Sequence, residues 1–326
     1  MPGMQIYFRD GQHTYKCTSG IAVDAAGNRR KMDSSMSMPF ASLTKIFTSV
    51  VTLLLDEQGT VAIDHSLQES LDGSSYRLPD APAWQSMTLR QLLMHRAGFD
   101  RSLSGDPLFW PTSPCPYHPN LLEKVAIDFS PGTRYAYSNL GYCLIGVTLR
   151  HRSGKSDQEL LNLILDTAKP ASFASIQYTT VESLRRSISF PQFATTSEMR
   201  DFDQLRWNEH AWTGALAGTA TDLGEFLLQI TPQTHSSLEQ VGRQLLAPLP
   251  DCDDTQWRSC HGLVFYSFRR PGHGRMYWRD GSLPGVTAFA AVAENGRVFV
   301  LFTNSRKPDW MPAHDELGRL IYDHVR

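Results

Sequence analysis

Hydrophobic and polar positions divide the chain into three stretches with different periods. Gln5–Arg9 and Thr14–Val23 are apolar-rich runs joined by the turn pair Asp10-Gly11, which predicts an amino-terminal β-hairpin. From Ser42 to Glu57, apolar residues recur at Ile46, Val50, Leu53 and Leu54, and Phe47, Val51 and Leu55 fill the other side. A helix that is apolar nearly all round is a buried one. From about Glu57 to about Ala211 the pattern is mixed. Leu89–His95, Leu121–Phe129, Leu140–His151 and Gln158–Ala168 read as helices separated by loops rich in Pro and Ser. The longest loop, Asp100–Asn120, carries Pro107, Pro111, Pro114, Pro116 and Pro119. A loop of that length in a compact domain is usually functional.

The last third changes period. Gly262–Phe268, Arg275–Ser282, Val286–Ala293 and Val298–Asn304 are short β-rich runs, and Asn295-Gly296 between the last two is a strong hairpin signal. A terminal helix is expected with Leu317, Leu320, Ile321 and Val325 on one face. Strands at both ends with helices between them predict an α+β fold. Its antiparallel sheet is built from both chain ends and flanked by helices, residues 1–56 and 212–326, and a mainly helical subdomain, 57–211, is inserted. The active site is expected in the cleft between the two parts, since pockets favour such junctions.

Composition narrows the function classes. With 41% hydrophobic and 20% charged residues in 326, the chain has the make-up of a globular enzyme. A formal charge of −2 gives no basic field for nucleic acid or an anionic membrane. No apolar run reaches the ~18–20 residues that span a bilayer. The start of the chain reads as a strand, without the basic and apolar regions of a secretory signal, so a cytoplasmic protein is expected. The five cysteines, Cys17, Cys115, Cys143, Cys252 and Cys260, are scattered and odd in number, which argues against a disulfide framework. Cys252 and Cys260 are close enough to pair, but reduced thiols are expected in a cytosol. Eleven histidines show no metal-ligand spacing, and there is no Walker A, no Gly-x-Gly-x-x-Gly and no Gly-x-Ser-x-Gly, so neither metal nor cofactor is expected.

The candidate chemistry begins at Ser42-Leu43-Thr44-Lys45, at the head of the buried helix. Ser and Lys at i and i+3 share a helix face. A serine hydroxyl needs a base to become a nucleophile, and a desolvated lysine can serve as one. The tetrad alone is common by chance; two more motifs follow it in order. One is Tyr137-Ser138-Asn139, and the other is Arg279-Asp280-Gly281-Ser282. With these motifs the sequence resembles the serine β-lactamase / penicillin-binding-protein superfamily, and within it the class C-like branch that also holds esterases, D-aminopeptidases and acyltransferases. MTLRQLLMHRAGF, Met87 to Phe99, is similar to that family's TLRxLLxHxSG segment, and AGTATDLGEFL, Ala217 to Leu227, to its AGGxxSTAxDLxxF segment.

The resemblance implies a β-lactamase-like fold and an acyl-enzyme on Ser42. Lys45 and Tyr137 would move the proton as a coupled pair, and the N–H groups of Ser42 and Ser282 would hold the oxyanion. Asn139 would hold Lys45 and a substrate carbonyl, while Gly281 would let a ligand approach the backbone. Each residue also has a plainer reading: Ser42 as a helix cap, Asn139 as a turn residue, Gly281-Ser282 as a strand-end turn. Arg279 stands where most relatives carry Lys or His. Its guanidinium cannot relay a proton; it suits either a substrate carboxylate or a structural ion pair with Asp280 or Glu294. The expected partner is a small ester or amide, taken by hydrolysis or by transfer, with a non-turnover sensor and a true β-lactamase as rivals.

Overall fold

The computed structural model describes residues 1–23, 28–168, 173–179, 206–232, 234–250, 252–307 and 309–325. Two units divide the chain: Met1–Thr44 with Leu165–Trp207 and Gly214–Arg326, and Lys45–Ile164 with Asn208–Thr213.

The first unit brings the chain ends together. Its strands are β1 (Met4–Asp10), β2 (His13–Ser19), β3 (Ile21–Val23), β4 (Arg29–Lys31), β5 (Met38–Pro39), β6 (Gln177–Tyr178), β7 (Leu216–Gly218), β8 (Cys260–His261), β9 (Tyr266–Phe268), β10 (Met276–Leu283), β11 (Val286–Ala293) and β12 (Val298–Thr303). Among the described residues an antiparallel seven-stranded sheet runs β2-β1-β12-β11-β10-β9-β8. The link between the termini is β1 on β12, with Ile6 opposite Leu301. The expected hairpin forms, but its second strand stops at Ser19 and Ile21–Val23 pairs separately with β4. Gly20 causes the break. It sits at φ +78°, and a Cβ there would lie 1.8 Å from the Pro2 carbonyl oxygen.

Among the described residues the helices, in chain order, are α1 (Thr44–Glu57), α2 (Leu67–Ser70), α3 (Pro82–Ser86), α4 (Leu89–Leu93), α5 (Asn139–Ser153), α6 (Asp157–Ala168), α7 (Ala220–Gln229), α8 (Glu239–Leu245) and α9 (Trp310–Val325). In the first unit α7 packs on β1 and β12, and α9 on β10 to β12. Helices cover the sheet, and every residue of β11 is buried, which explains why Val286–Ala293 reads as an unbroken apolar run. The terminal helix is rotated from the expected face. His314, Gly318, Ile321, Tyr322 and Val325 are buried, while Leu320 is 58% exposed. His314 turns inward because the sheet offers it a carboxylate, and Gly318 because a Cβ there would meet the Trp257 ring at 2.3 Å.

The second unit is built around α1 and α5, whose residues are buried almost throughout. Gly146 on α5 lets Trp212 in, since a Cβ there would fall 2.0 Å from the indole. Leu121–Phe129 is not the expected helix: a 3-10 turn over Pro119–Lys124 ends in extended chain. Backbone bonding takes the rest of that segment elsewhere, as Asp128 N–H donates to the Gly98 carbonyl at 2.8 Å. The cysteine expectation is also corrected. Cys115 pairs with Cys143 and Cys252 with Cys260, at Cα separations of 6.1 and 5.6 Å, leaving Cys17 as an exposed thiol. The first pair spans 28 residues and joins a loop to a helix, a proximity that sequence spacing does not reveal.

Candidate active site

In the first unit, Ser42 is held in a short 3-10 turn, Ala41–Leu43, two residues ahead of where α1 begins. The sequence places it in the helix itself. Backbone bonds to β7 fix the turn on both sides: Phe40 N–H donates to the Leu216 carbonyl at 2.8 Å, and Leu216 N–H donates to Thr44 Oγ1 at 3.1 Å. Ala41 takes φ +48°, a left-handed conformation uncommon for a residue with a Cβ. Between Met36 and Leu55 every residue is buried except Ser42. A partly buried serine in an otherwise buried stretch suits the role of nucleophile that the sequence assigns to Ser42.

Strand β10 runs against this turn. A Cβ on Gly281 would lie 2.6 Å from the Phe40 carbonyl oxygen and 3.1 Å from both Ala41 Cβ and the Ser42 amide nitrogen. Position 281 therefore admits only glycine at this separation. The closeness sets Gly281-Ser282 beside the Ser42 N–H, the group the sequence assigns to the oxyanion. Ser282 Oγ accepts from Arg306 Nη1 at 3.4 Å.

Side chains alternate along β10, so Arg279 shares the face of Gly281 and Asp280 points to the other. Arg279 is 1% exposed, and its Nη1 donates to His261 Nε2 at 2.7 Å and to the Val264 carbonyl at 3.0 Å. Guanidinium only donates, so His261 Nε2 accepts and its ring is neutral in this arrangement. Asp280 is ion-paired with Arg258 at 2.6 Å and with His314 at 3.0 Å. Burial alone would raise the Asp280 carboxyl. The hydrogen bond from His314 and the Arg258 charge overcome that, holding it well below the usual carboxylate range.

The second unit carries Lys45, Tyr137 and Asn139, the groups to which the sequence assigns the handling of the proton. Lys45, in the first turn of α1, is fully buried. Its Nζ donates to Asn139 Oδ1 at 2.8 Å and to the Thr213 carbonyl at 2.7 Å, and stands 5.0 Å from the centre of the Tyr137 ring. Tyr137 Oη donates to the same Asn139 oxygen at 3.2 Å. Tyr137 lies on the segment leading into α5, and Asn139 is the first residue of that helix. His95 shapes the segment: its carbonyl accepts Ala136 N–H at 2.8 Å and its Nδ1 accepts Ser138 N–H at 3.2 Å. Tyr142 packs below, fully buried, and donates to the Leu93 carbonyl at 2.9 Å.

Three residues here escape sequence reasoning. His95 sits inside the MTLRQLLMHRAGF segment but gave no chemical signal of its own. Arg101 stacks on the Tyr137 ring with its guanidinium carbon 4.4 Å from the centre, and Asp106 accepts from Asn139 Nδ2 at 2.7 Å. Both come from the Pro-rich loop. Trp110, from the same loop, lines a cavity of about 470 Å³ with His118 and Lys124. Among the described residues no group of three or more His, Cys, Asp or Glu is placed to hold a metal, and no helix is long and apolar enough to cross a membrane.

The family described as Beta-lactamase matches residues 1–323, nearly the whole chain. The chain belongs to the beta-lactamase family. As a member of it, the protein is a serine hydrolase of the β-lactamase-related kind. Among curated relatives it is similar to the "Probable fimbrial assembly protein FimD, serogroup H1" of Dichelobacter nodosus, 26% identical over 306 residues that cover 91% of this chain and 73% of the relative. Among solved structures its fold is similar to the beta-lactamase/D-alanine carboxypeptidase of Yersinia pestis complexed with citrate. The TM-score is 0.76 at 19% identity, covering 99% of this chain and 93% of the other. It is also similar to the D-amino acid amidase of Ochrobactrum anthropi SV3 complexed with L-phenylalanine. There the TM-score is 0.74 at 19% identity, covering 99% and 95%. Within this family the α+β fold and the antiparallel sheet made from both chain ends are the expected ones.

Proposed function

We propose that this hydrolase forms an acyl-enzyme on Ser42 and acts on a small amide. One observation carries the reading: the fully buried amine of Lys45 shares a single acceptor, Asn139 Oδ1, with the Tyr137 hydroxyl. A core lysine needs compensation for its desolvation, and here that compensation ties it to a phenol that can trade protons with it. In this reading Ser42 Oγ attacks the carbonyl carbon and gives up its proton to the Lys45–Tyr137 pair. The carbonyl oxygen gains the negative charge and is held by the N–H groups of Ser42 and Ser282. Collapse of the tetrahedral species expels the amine, which takes the proton back. Water then attacks the ester carbon and frees Ser42.

The names of two neighbours in fold, a D-amino acid amidase and a beta-lactamase/D-alanine carboxypeptidase, support the choice of substrate class. We take a small amino-acid amide, with the D-form tried first, as the substrate. A carboxylate grip by Arg279 is not part of this reading, because that guanidinium is buried and bonded to His261 and Val264. The test is hydrolysis of paired D- and L-amino-acid p-nitroanilides by wild type and Ser42→Ala. Turnover of the D-form by wild type, and none by the variant, is expected. Undiminished turnover by Ser42→Ala would exclude the acyl-enzyme proposal.

A further inference from the structure

Resting on the acyl-enzyme reading, we infer that Asp106 is a positioning residue that fixes the amide of Asn139 in the one orientation able to serve Lys45. The terminal torsion of an asparagine is soft and nearly two-fold, so its oxygen and nitrogen can exchange places at little intrinsic cost. The neighbours decide. A carboxylate only accepts, so whichever amide atom faces it must be the one that donates. Asp106 Oδ2 takes Asn139 Nδ2 at 2.7 Å, and Lys45 Nζ takes Asn139 Oδ1 at 2.8 Å. Reversing the amide would set oxygen against carboxylate and take from Lys45 Nζ the Oδ1 acceptor that it now uses. The Tyr137 hydroxyl, donating to the same Oδ1 at 3.2 Å, would lose its acceptor too.

Asp106 is itself held firmly. It caps the 3-10 turn Pro107–Phe109, its Oδ1 accepting Leu108 N–H at 3.2 Å, and Leu108 is fully buried. The chain before it is pinned from a second side. Asp128 Oδ2 accepts Asp100 N–H and Ser104 Oγ–H, each at 2.8 Å, and Asp100 pairs with Arg134 at 3.1 Å. The stretch from Asp100 to Asp106 also places Arg101 on the Tyr137 ring. The long Pro-rich loop thus delivers a carboxylate to the back of the asparagine whose front holds the base.

The experiment follows the rate of labelling by a fluorophosphonate, with the labelled residue identified by peptide mass. Asp106→Ser keeps the cap of the 3-10 turn but is too short to reach Asn139. Asp106→Asn keeps the cap and an acceptor at the right distance. Asp106→Ser is expected to melt like wild type and to label Ser42 about 10–100-fold more slowly, the scale of a misplaced catalytic group. Asp106→Asn is expected to recover most of that loss. In an Asn139→Ala background, Asp106→Ser is expected to change the rate less than about two-fold, because its effect passes through the missing amide. Equal losses in both backgrounds, or no loss in either while the label stays on Ser42, would overturn the positioning role. A label on any other residue would overturn the acyl-enzyme reading, and this inference with it.

Discussion

The Ser42 amide nitrogen and the α-carbon of Gly281 stand so close that a methyl group on the glycine would come within 3.1 Å of that nitrogen. Strand β10 and the turn that carries Ser42 are therefore set against each other by backbone at this point. Gly281→Ala must move the Phe40 carbonyl, only 2.6 Å from the added carbon, or the strand. A destabilisation of roughly 1–3 kcal/mol is expected, the scale of overpacking. A larger loss of kcat, with KM little changed, should accompany it. An alanine variant with wild-type melting temperature and kcat would contradict the close approach.

The proton pair makes a second prediction. Lys45→Arg keeps a cation but has no neutral amine to offer, and Tyr137→Phe removes the hydroxyl that shares Asn139 Oδ1 with it. Each should slow acylation by about three orders of magnitude or more, and the double variant should be little worse than either. Pre-steady-state release of p-nitroaniline measures this. Losses that multiply would show two independent groups.

Arg279 yields a third. Its guanidinium bonds His261 Nε2 and the Val264 carbonyl inside the first unit. Arg279→Met leaves two buried acceptors unmet, at roughly 1–3 kcal/mol for such a loss. The melting temperature should fall, and kcat/KM should fall alike for neutral and carboxylate-bearing substrates. A loss confined to carboxylate substrates, with melting unchanged, would restore the substrate-binding role.

Asp280 gives the fourth, through pH. Its carboxyl is held below the usual range in the folded state by His314 and Arg258, against the effect of burial. A depressed folded value means stability that is fully present above the unfolded value of about 3.9 and lost as pH falls below it. Chemical denaturation between about pH 2.5 and 7 should show that acid limb in wild type. Asp280→Asn should lower stability near neutrality and flatten the limb. An unaltered slope below about pH 4 would mean that other carboxyls carry it.

How much of this was legible beforehand differs by kind of residue. Ser42, Lys45 and Tyr137 could be named as candidates because the chemistry proposed for them needs fixed residue types in a fixed order. The strands β10, β11 and β12 could be bounded to within a residue or two because period and turn signals agreed there. Asp106 could not, since an aspartate before a proline reads as a turn, and only the fold brings it 33 residues forward to Asn139. The rotation of the last helix was hidden for a related reason. Apolar periodicity selects Leu320, whereas the buried position goes to His314, a polar residue whose place depends on a distant carboxylate. Arg279 was half legible: its charge could be read, but its enclosure by His261 and Val264 could not.

Cys143 lies four residues beyond Asn139 on α5, one helical turn away, and its sulfur is joined to Cys115 in the Pro-rich loop that also carries Asp106. That covalent tie spans the same loop and helix as the Asp106–Asn139 hydrogen bond. Reduction would therefore cut one of the ties that bring this loop to α5. In a reducing milieu the loop would keep its hydrogen bonds and the buried Leu108 but lose its covalent tie to α5.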